Sequence, residues 1–217
     1  MHLLLTDRLT CPRCGPTFGL ILLTDQMVDR RVRRGTLGCP NCRDAFSVDG
    51  GFVDLRAPPR GPLGAGLAGI DPPDGDPDAD DEDEHNAERL VALLGIPRGP
   101  GTVVTVGRPA RFAGAIERAV EDLQVVAVDP DVRGWPDRGS VTRMVAAPGL
   151  PFFSGTLRGA IVDGRAGRAT IFEGARVVAP MSRVIVTGAS DLAEEVLEEA
   201  GLSILASESG TVVATRR

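Results

Sequence analysis

Residues 101–129 read GTVVTVGRPARFAGAIERAVEDLQVVAVD, and this stretch decides the fold class. GTVVTVG is a short apolar run that ends at a glycine, as buried strands often do. ARFAGAIERAVEDL spaces its apolar residues along one face of a helix, and QVVAVD is a second apolar run of strand length. A strand, a helix and another strand in succession predict a βαβ unit with parallel strands.

The same alternation continues to the end of the chain. Helical patterns occupy residues 87–95, 167–179 and 190–201, and five further runs predict strands: VTRMVAA, LRGAIVDG, SRVIVTG, GLSILAS and GTVVATR. A short ESG turn joins the last two runs, which predicts an antiparallel hairpin at one edge of the sheet. Residues 87–217 are therefore expected to form an α/β domain with a Rossmann-like, doubly wound sheet of about seven strands.

Composition limits the class of protein. Apolar residues make up 42% of the chain, which is enough for a substantial core. The apolar runs are of strand length, and the N-terminus lacks the basic start of a signal peptide. We therefore expect a soluble, cytoplasmic protein that does not contact a membrane.

The net charge of −6 is unevenly distributed, because acidic residues concentrate in the middle of the chain. Residues 57–86 read APPRGPLGAGLAGIDPPDGDPDADDEDEHN, a segment rich in proline, glycine and aspartate. Like charges repel and prolines stiffen the backbone, so this segment is expected to be an extended linker. An alternative is that the acidic run imitates nucleic acid or covers the arginine-rich segment DRRVRRG at residues 29–35.

All four cysteines lie in one duplicated motif, CPRC at residues 11–14 and CPNC at residues 39–42. Two CxxC turns place four thiolates around one centre, which is the ligand set of a tetrahedral zinc ion. Four sulfur ligands leave no open coordination position, so we predict a structural Zn²⁺ bound by Cys11, Cys14, Cys39 and Cys42. Buried or disulfide-bonded cysteines are the alternative, which a reducing cytoplasm disfavours.

Residues 3–55 resemble the small zinc-ribbon activator proteins that partner methyltransferases. The matching features are LTCPRC, LGCPNC, Phe46 with Val48, and the VDGG turn, which predicts a hairpin that turns at Asp49 and Gly50. The resemblance implies that residues 1–56 form a β-rich zinc ribbon that docks onto a methyltransferase-fold domain. It implies no chemistry for the ribbon itself.

Residues 85–216 in turn resemble class I S-adenosylmethionine-dependent methyltransferases in the order of their segments, which are ERLVALLGIPRGPGTVVTVG, VVAVDPD, APGLPFFSGTLRGAIVDG and EGARVVAPMSRVIVTG. The resemblance implies that Gly107 belongs to the cofactor loop after the first strand. It also implies that Asp129 would accept hydrogen bonds from the ribose hydroxyls of the cofactor. Asp129 fits equally well as the first residue of the DPD turn.

The cofactor loop departs from the family pattern, which has an acidic residue and then three glycines at alternate positions. This chain has Thr105, Gly107, Pro109 and Arg111 there. Pro109 lacks an N–H, and both replacements of glycine add bulk. We therefore expect these two side chains to fill the space of the cofactor, which argues against S-adenosylmethionine binding.

No catalytic residue is predicted. At the place where amino-group methyltransferases often carry an Asn/Asp-Pro-Pro-aromatic motif, this chain has VDGRAG, in which Asp163 fits a partner contact, a base or a helix cap. His2 lies at the terminus and His85 in the predicted linker. Trp135 fits either stacking on a base or covering the sheet edge.

Two functions follow from these observations. The first is a non-catalytic methyltransferase-fold scaffold or regulatory subunit that binds a protein: an active methyltransferase, a translation-associated protein or another copy of itself. The second is an active S-adenosylmethionine-dependent methyltransferase with an atypical loop. RNA is a further partner class, because Arg30, Arg31, Arg33 and Arg34 form a basic cluster.

Overall fold

The computed structural model describes residues 1–67, 77–136, 141–189 and 192–217, and for residues 77–83 it describes the backbone alone. The strands of this part of the chain are β1 (Ile21–Val28), β2 (Arg31–Gly38), β3 (Ala45–Asp49), β4 (Phe52–Arg56), β5 (Gly101–Val106), β6 (Leu123–Val128), β7 (Thr142–Ala147), β8 (Leu157–Asp163), β9 (Val178–Thr187), β10 (Leu202–Glu208) and β11 (Thr211–Arg216). The α-helices are α1 (Pro77–Leu94), α2 (Ala113–Ala119), α3 (Arg168–Val177) and α4 (Leu192–Glu199). Short 3₁₀ helices cover Leu3–Arg8, Arg108–Phe112, Pro130–Gly134 and Gly164–Ala166.

All of these strands belong to one sheet of 11 strands, in the order β1-β2-β3-β4-β7-β6-β5-β8-β9-β11-β10. The run from β4 to β9 is parallel, and the strands outside it pair antiparallel. The α/β class and the antiparallel hairpin of β10 and β11 are thus confirmed. The prediction of about seven strands is wrong for the sheet, because the four N-terminal strands continue it.

Helices cover both faces of the central strands. Leu90, Leu94 and Ile116, from α1 and α2, pack in an apolar cluster on one face. Ile171 and Val196, from α3 and α4, belong to the cluster on the other face. Strands covered on both faces carry the continuous runs of valine and isoleucine seen in β5 and β8. No helix in the described ranges is long and apolar enough to cross a membrane.

The N-terminal strands join the sheet through β4, which pairs in parallel with β7 from Phe52 opposite Arg143 to Arg56 opposite Ala147. The cores are continuous as well, since Leu37 and Phe46 belong to the same buried cluster as Leu157 and Val177. The N-terminal segment therefore completes one face of the α/β core.

The expectation of an extended linker over residues 57–86 is wrong for its last part, because α1 begins at Pro77. The acidic residues fall in the first turns of this helix, where the helix dipole favours negative charge. Ala87, Leu90 and Leu94 then bury one face, which supplies the packing that a charged helix needs. Residues 57–67 form no helix or strand, and residues 68–76 of the predicted linker lie outside the described residues.

Candidate functional site

The two CxxC turns bring their four thiols together. The Sγ atoms of Cys11 and Cys42 are 3.6 Å apart, those of Cys14 and Cys39 are 3.8 Å apart, and all four lie within 4.8 Å of one another. Sulfurs bound at ~2.3 Å to a tetrahedral ion would be separated by about 3.8 Å. The four free thiols are therefore placed to hold one metal ion.

Both turns use the same backbone geometry. The N–H of Gly15 donates to the carbonyl of Cys11 at 2.9 Å, and the N–H of Arg43 donates to that of Cys39 at 3.0 Å. Gly15 and Arg43 both have a positive φ, of 90° and 64°. Each turn thus folds back on itself at the residue after its second cysteine, which directs both thiols to the same side.

The thiols cannot ionise independently at this separation. Burial disfavours the thiolate of Cys39, but the N–H groups of Cys42 and Asn41 outweigh it and lower the pKa of Cys39 to about 7. The N–H of Asp44 favours the thiolate of Cys42, yet desolvation and the neighbouring thiols raise the pKa of Cys42 to about 12. A divalent cation is the group that would stabilise four thiolates together.

A loop after β7 fixes this cluster to the α/β part of the chain. Within it, Pro151 accepts the N–H of Thr10 at 2.8 Å, and Phe153 donates its N–H to the carbonyl of Arg8 at 3.0 Å. Arg176 of α3 holds the same loop, donating to the carbonyls of Leu150 at 2.7 Å and Phe152 at 2.8 Å. The segment that leads into the first CxxC turn is therefore anchored to helix α3 through one loop.

A second candidate site lies at the carboxyl ends of β5, β6 and β8. The strand order reverses between β5 and β8, and doubly wound sheets bind ligands at such a reversal. Gly107 follows β5, Asp129 follows β6 and Asp163 ends β8. The two carboxylates are buried, with residue exposures of 4% for Asp129 and 0% for Asp163. The structure therefore brings the predicted residues Gly107 and Asp129 to one crevice.

Residues 61–67, which we call the strap, lie across this crevice. The N–H of Leu67 donates to Asp129 Oδ2 at 2.9 Å, and the N–H of Gly66 donates to Asp131 Oδ1 at 2.8 Å. The Cβ of Leu67 lies 3.6 Å from the place that a Cβ on Gly107 would occupy. In this conformation the crevice does not fit S-adenosylmethionine. The N–H of Leu67 already binds Asp129, which is the carboxylate that the resemblance gives to the ribose of the cofactor.

Asp129 also has the structural role that the sequence leaves open, as the first residue of the DPD turn. Its Oδ1 accepts the N–H of Asp131 at 2.9 Å and so caps the 3₁₀ helix Pro130–Gly134. One oxygen therefore shapes the DPD turn while the other binds the strap.

The loop residues Pro109 and Arg111 do not cover Gly107 as expected. Arg111 is exposed, and its guanidinium lies over the ring of Phe112, 5.5 Å from the centroid. Pro109 is buried at the start of the 3₁₀ helix that follows Gly107. The side chains nearest to a Cβ on Gly107 would be those of Asp163 and Leu67, so the cover comes from a distant part of the sequence.

Asp163 acts as a cap through one oxygen, and its other oxygen accepts no hydrogen bond from the described residues. Its Oδ1 accepts the N–H of Arg165 at 3.0 Å, which caps the 3₁₀ helix Gly164–Ala166. Its buried Oδ2 accepts no hydrogen bond from the described residues, and the Arg108 Nε lies 3.9 Å away. The helix-cap interpretation is thus present in the structure, beside a carboxylate oxygen with unused acceptor capacity.

The remaining candidates lie outside the crevice contacts. The Nδ1 of His2 accepts the N–H of Leu4, and His85 is exposed on α1. Trp135 packs partly buried against the apolar cluster beneath α1 and α2. In the basic cluster, Arg31 donates to the carbonyl of Val141 at 2.9 Å, and burial followed by the charge of Arg33 lowers the pKa of Arg31.

Sequence reasoning missed Gly66, Leu67 and Asp131. Asp131 has a signal, since it is the second carboxylate of the DPD turn that contains Asp129. Leu67 has none, because it acts through a backbone N–H that any non-proline residue carries. Gly66 also acts through its N–H, and the need for glycine there shows only in the folded chain, where a Cβ would overlap Asp129.

Comparison with known proteins yields structural likeness alone. No family model and no curated protein matches the chain. Among solved structures, a precorrin-6y C5,15-methyltransferase from Geobacter metallireducens is 14% identical with a TM-score of 0.48, covering 61% of this chain and 88% of that one.

Two further structures are similar at the same level. A chain from the complex of the Haloferax volcanii Trm112 methyltransferase activator with a methyltransferase is 17% identical, with a TM-score of 0.43 over 60% of this chain and 76% of that one. The [4+2]-cyclase SpnF is 15% identical, with a TM-score of 0.46 over 69% and 66%. These likenesses assign neither a substrate nor an activity to the chain.

Proposed function

We propose that this protein is a non-catalytic scaffold or regulatory subunit with a methyltransferase-like fold. The observation that carries the proposal is the covered crevice. Asp129, the residue that would hold a ribose, accepts a hydrogen bond from the strap at 2.9 Å, and Leu67 lies over Gly107. A ligand would have to displace the chain's own backbone before it reached either residue.

We further propose that the four cysteines hold a structural Zn²⁺. Their Sγ atoms are all within 4.8 Å of one another, and a fully sulfur-ligated ion has no position for substrate. All four thiols are free, which suits a reducing cytoplasm. In this proposal residues 1–56 are a zinc ribbon, residues 57–86 connect it, and residues 87–217 form the methyltransferase-like domain.

The ribbon docks within its own chain in this proposal. Its strand β4 is already paired with β7, so neither of these two strands has a free edge for a separate zinc ribbon or a second methyltransferase domain. The sheet edge that the ribbon still exposes is β1.

A protein partner suits the exposed surface of the ribbon better than RNA does. Six of the eleven exposed large apolar side chains in the described residues belong to the ribbon: Leu4, Phe18, Ile21, Leu23, Met27 and Val28. Exposed apolar side chains suit a protein contact better than a phosphate backbone. Of the basic cluster, Arg30 and Arg34 are exposed while Arg31 and Arg33 are partly buried, which leaves a small phosphate-binding surface.

An active methyltransferase is the second candidate, and one observation favours it. Asp163 is fully buried beside Gly107, with an oxygen that accepts no hydrogen bond from the described residues. A buried acceptor of this kind is costly unless something binds it. A substrate amine or hydroxyl in an open form of the crevice would supply the missing donor.

Calorimetric titration with S-adenosylmethionine and S-adenosylhomocysteine separates the two candidates. We expect the intact protein to bind neither compound at millimolar concentration while it carries one zinc per chain, measured by elemental analysis. An Asp129→Asn variant is the control, because it tests whether any heat of binding depends on the Asp129 carboxylate. Micromolar binding by the intact protein that is lost in the variant would overturn the scaffold proposal.

A further inference from the structure

Neither the fold nor the proposed zinc site explains the contacts of the strap. It reaches the crevice from β4, where the guanidinium of Arg56 donates to the carbonyl of Gly61 at 2.8 Å. Arg56 itself is held by Asp54 through contacts of 2.7 Å and 2.9 Å. The start of the strap is therefore fixed to the end of the ribbon, and its far end meets Asp129.

Few apolar contacts hold the strap in place. Leu63 packs partly buried against the apolar cluster beneath α1 and α2, whereas Leu67 is 41% exposed. Most of the other strap residues are exposed. Segments with so little buried apolar surface open locally at low cost. Within the described residues, hydrogen bonds to Asp129 and Asp131 attach the strap at this end.

These two bonds have the pattern of a ligand contact. Two donors on neighbouring residues, the N–H groups of Gly66 and Leu67, reach Asp131 and Asp129 at 2.8 Å and 2.9 Å. A vicinal diol, such as that of a ribose, also presents two neighbouring donors to carboxylates. The approach requires glycine, because a Cβ on residue 66 would overlap the carboxylate of Asp129.

We propose that the strap is an autoinhibitory segment whose backbone N–H groups take the place of a nucleoside ribose at Asp129 and Asp131, so that its release opens a latent nucleoside site. The inference rests on the proposed function, since it explains why the intact protein would not bind the cofactor. Under it the crevice is closed by a displaceable contact and not by the loop residues Pro109 and Arg111.

The closed strap lowers the apparent affinity in proportion to the fraction of molecules in which it is open. A variant that cannot close should therefore gain affinity by about the inverse of that fraction, on the order of tenfold or more. Gly66→Val is such a variant, because its side chain would overlap Asp129 in the closed form. Gly64→Val is the matched control, since a Cβ there meets nothing within 4 Å.

The experiment titrates each full-length variant with S-adenosylhomocysteine and with adenosine, and follows hydrogen exchange at the strap amides. We expect faster exchange at Leu67 and measurable binding in Gly66→Val, with neither change in Gly64→Val. Adding Asp129→Asn to Gly66→Val should abolish the gain. Leu67→Pro, which removes the N–H that binds Asp129, provides a second route to the open form.

The outcomes separate this inference from the proposed function. Faster hydrogen exchange at the strap amides of Gly66→Val and Leu67→Pro, without any gain in nucleoside affinity, would overturn the inference. The scaffold proposal would then still stand. Unchanged strap exchange in Gly66→Val would overturn it as well, because the closed contact would then not depend on glycine. Tight binding by the intact protein would instead overturn the proposed function.

Discussion

Gly107 has an unusual backbone conformation and also lies at the crevice. Its φ of 72° and ψ of −138° lie in a region that only glycine adopts readily. A Cβ at this position would also lie 3.0 Å from the Cβ of Asp163, on a neighbouring strand. Both the backbone conformation and the contact with Asp163 therefore disfavour a side chain at position 107. Only the contact with Asp163 involves the crevice.

Gly107→Ala tests that distinction against Gly167→Ala. Gly167 has a φ of 88° but open space around a Cβ, so its substitution should cost only the strained backbone, about 1 kcal/mol. Gly107→Ala should cost about 2–3 kcal/mol, since overpacking against Asp163 adds to the strain. Denaturant unfolding measures both, and equal losses would show that the contact with Asp163 does not matter.

At the scale of elements, the loop after β7 depends on helix α3. Glu173 and Arg176 form a pair in which Arg176 Nε donates to Glu173 Oε1 at 2.7 Å, with side-chain exposures of 16% for Arg176 and 23% for Glu173. Glu173 in turn accepts the N–H of Leu150 at 2.8 Å. Because the same loop binds Thr10 and Arg8 of the ribbon, this pair links the ribbon to the helix layer.

Arg176→Met should therefore destabilise the protein by about 2–3 kcal/mol, because it removes the charge partner of the partly buried Glu173 and a donor to two loop carbonyls. Arg168→Met is the control, since Arg168 pairs with Glu195 and Glu199 at an exposed surface and should cost less than about 1 kcal/mol. Free energies of unfolding from urea titration give the comparison. A similar loss in both variants would contradict the role of the loop clamp.

At the scale of the whole molecule, the ribbon and the α/β part share one sheet and one buried cluster. The strands β1 to β4 continue the sheet beyond β7, and Phe46 and Val48 of the ribbon belong to the cluster that contains Leu157 and Val184. Because the two parts share this cluster, we expect them to unfold together. The metal site of the ribbon should then stabilise the entire chain.

Removal of the metal by a chelator should lower the single melting transition of the whole chain. Structural zinc supplies folding free energy, and each kcal/mol lost shifts Tm by ~2–4 °C for a chain of this length, so we expect a fall of about 10 °C or more. Circular dichroism of the helices reports the α/β part, and added Zn²⁺ should restore the transition. Helices that melt at an unchanged temperature after chelation would show two independent units.

The sequence by itself determined most of the elements of this protein and pointed to the cluster of four cysteines. Apolar periodicity located the strands from β5 to β11 and the cores of the helices, because each depends on a local pattern of residues. The spacing of Cys11, Cys14, Cys39 and Cys42 indicated a shared centre for the same reason. Gly107 and Asp129 were placed at one crevice because the ends of neighbouring parallel strands meet there.

Only the tertiary structure decided how these parts combine. The pairing of β4 with β7 made one sheet of 11 strands, and no local pattern specifies which free edge a strand will choose. The contact of Gly66 and Leu67 with Asp131 and Asp129 joins residues more than sixty positions apart through backbone N–H groups. Such groups are the same in every residue but proline, and the need for glycine at position 66 arises only from the folded position of Asp129, so the folded chain sets these partners.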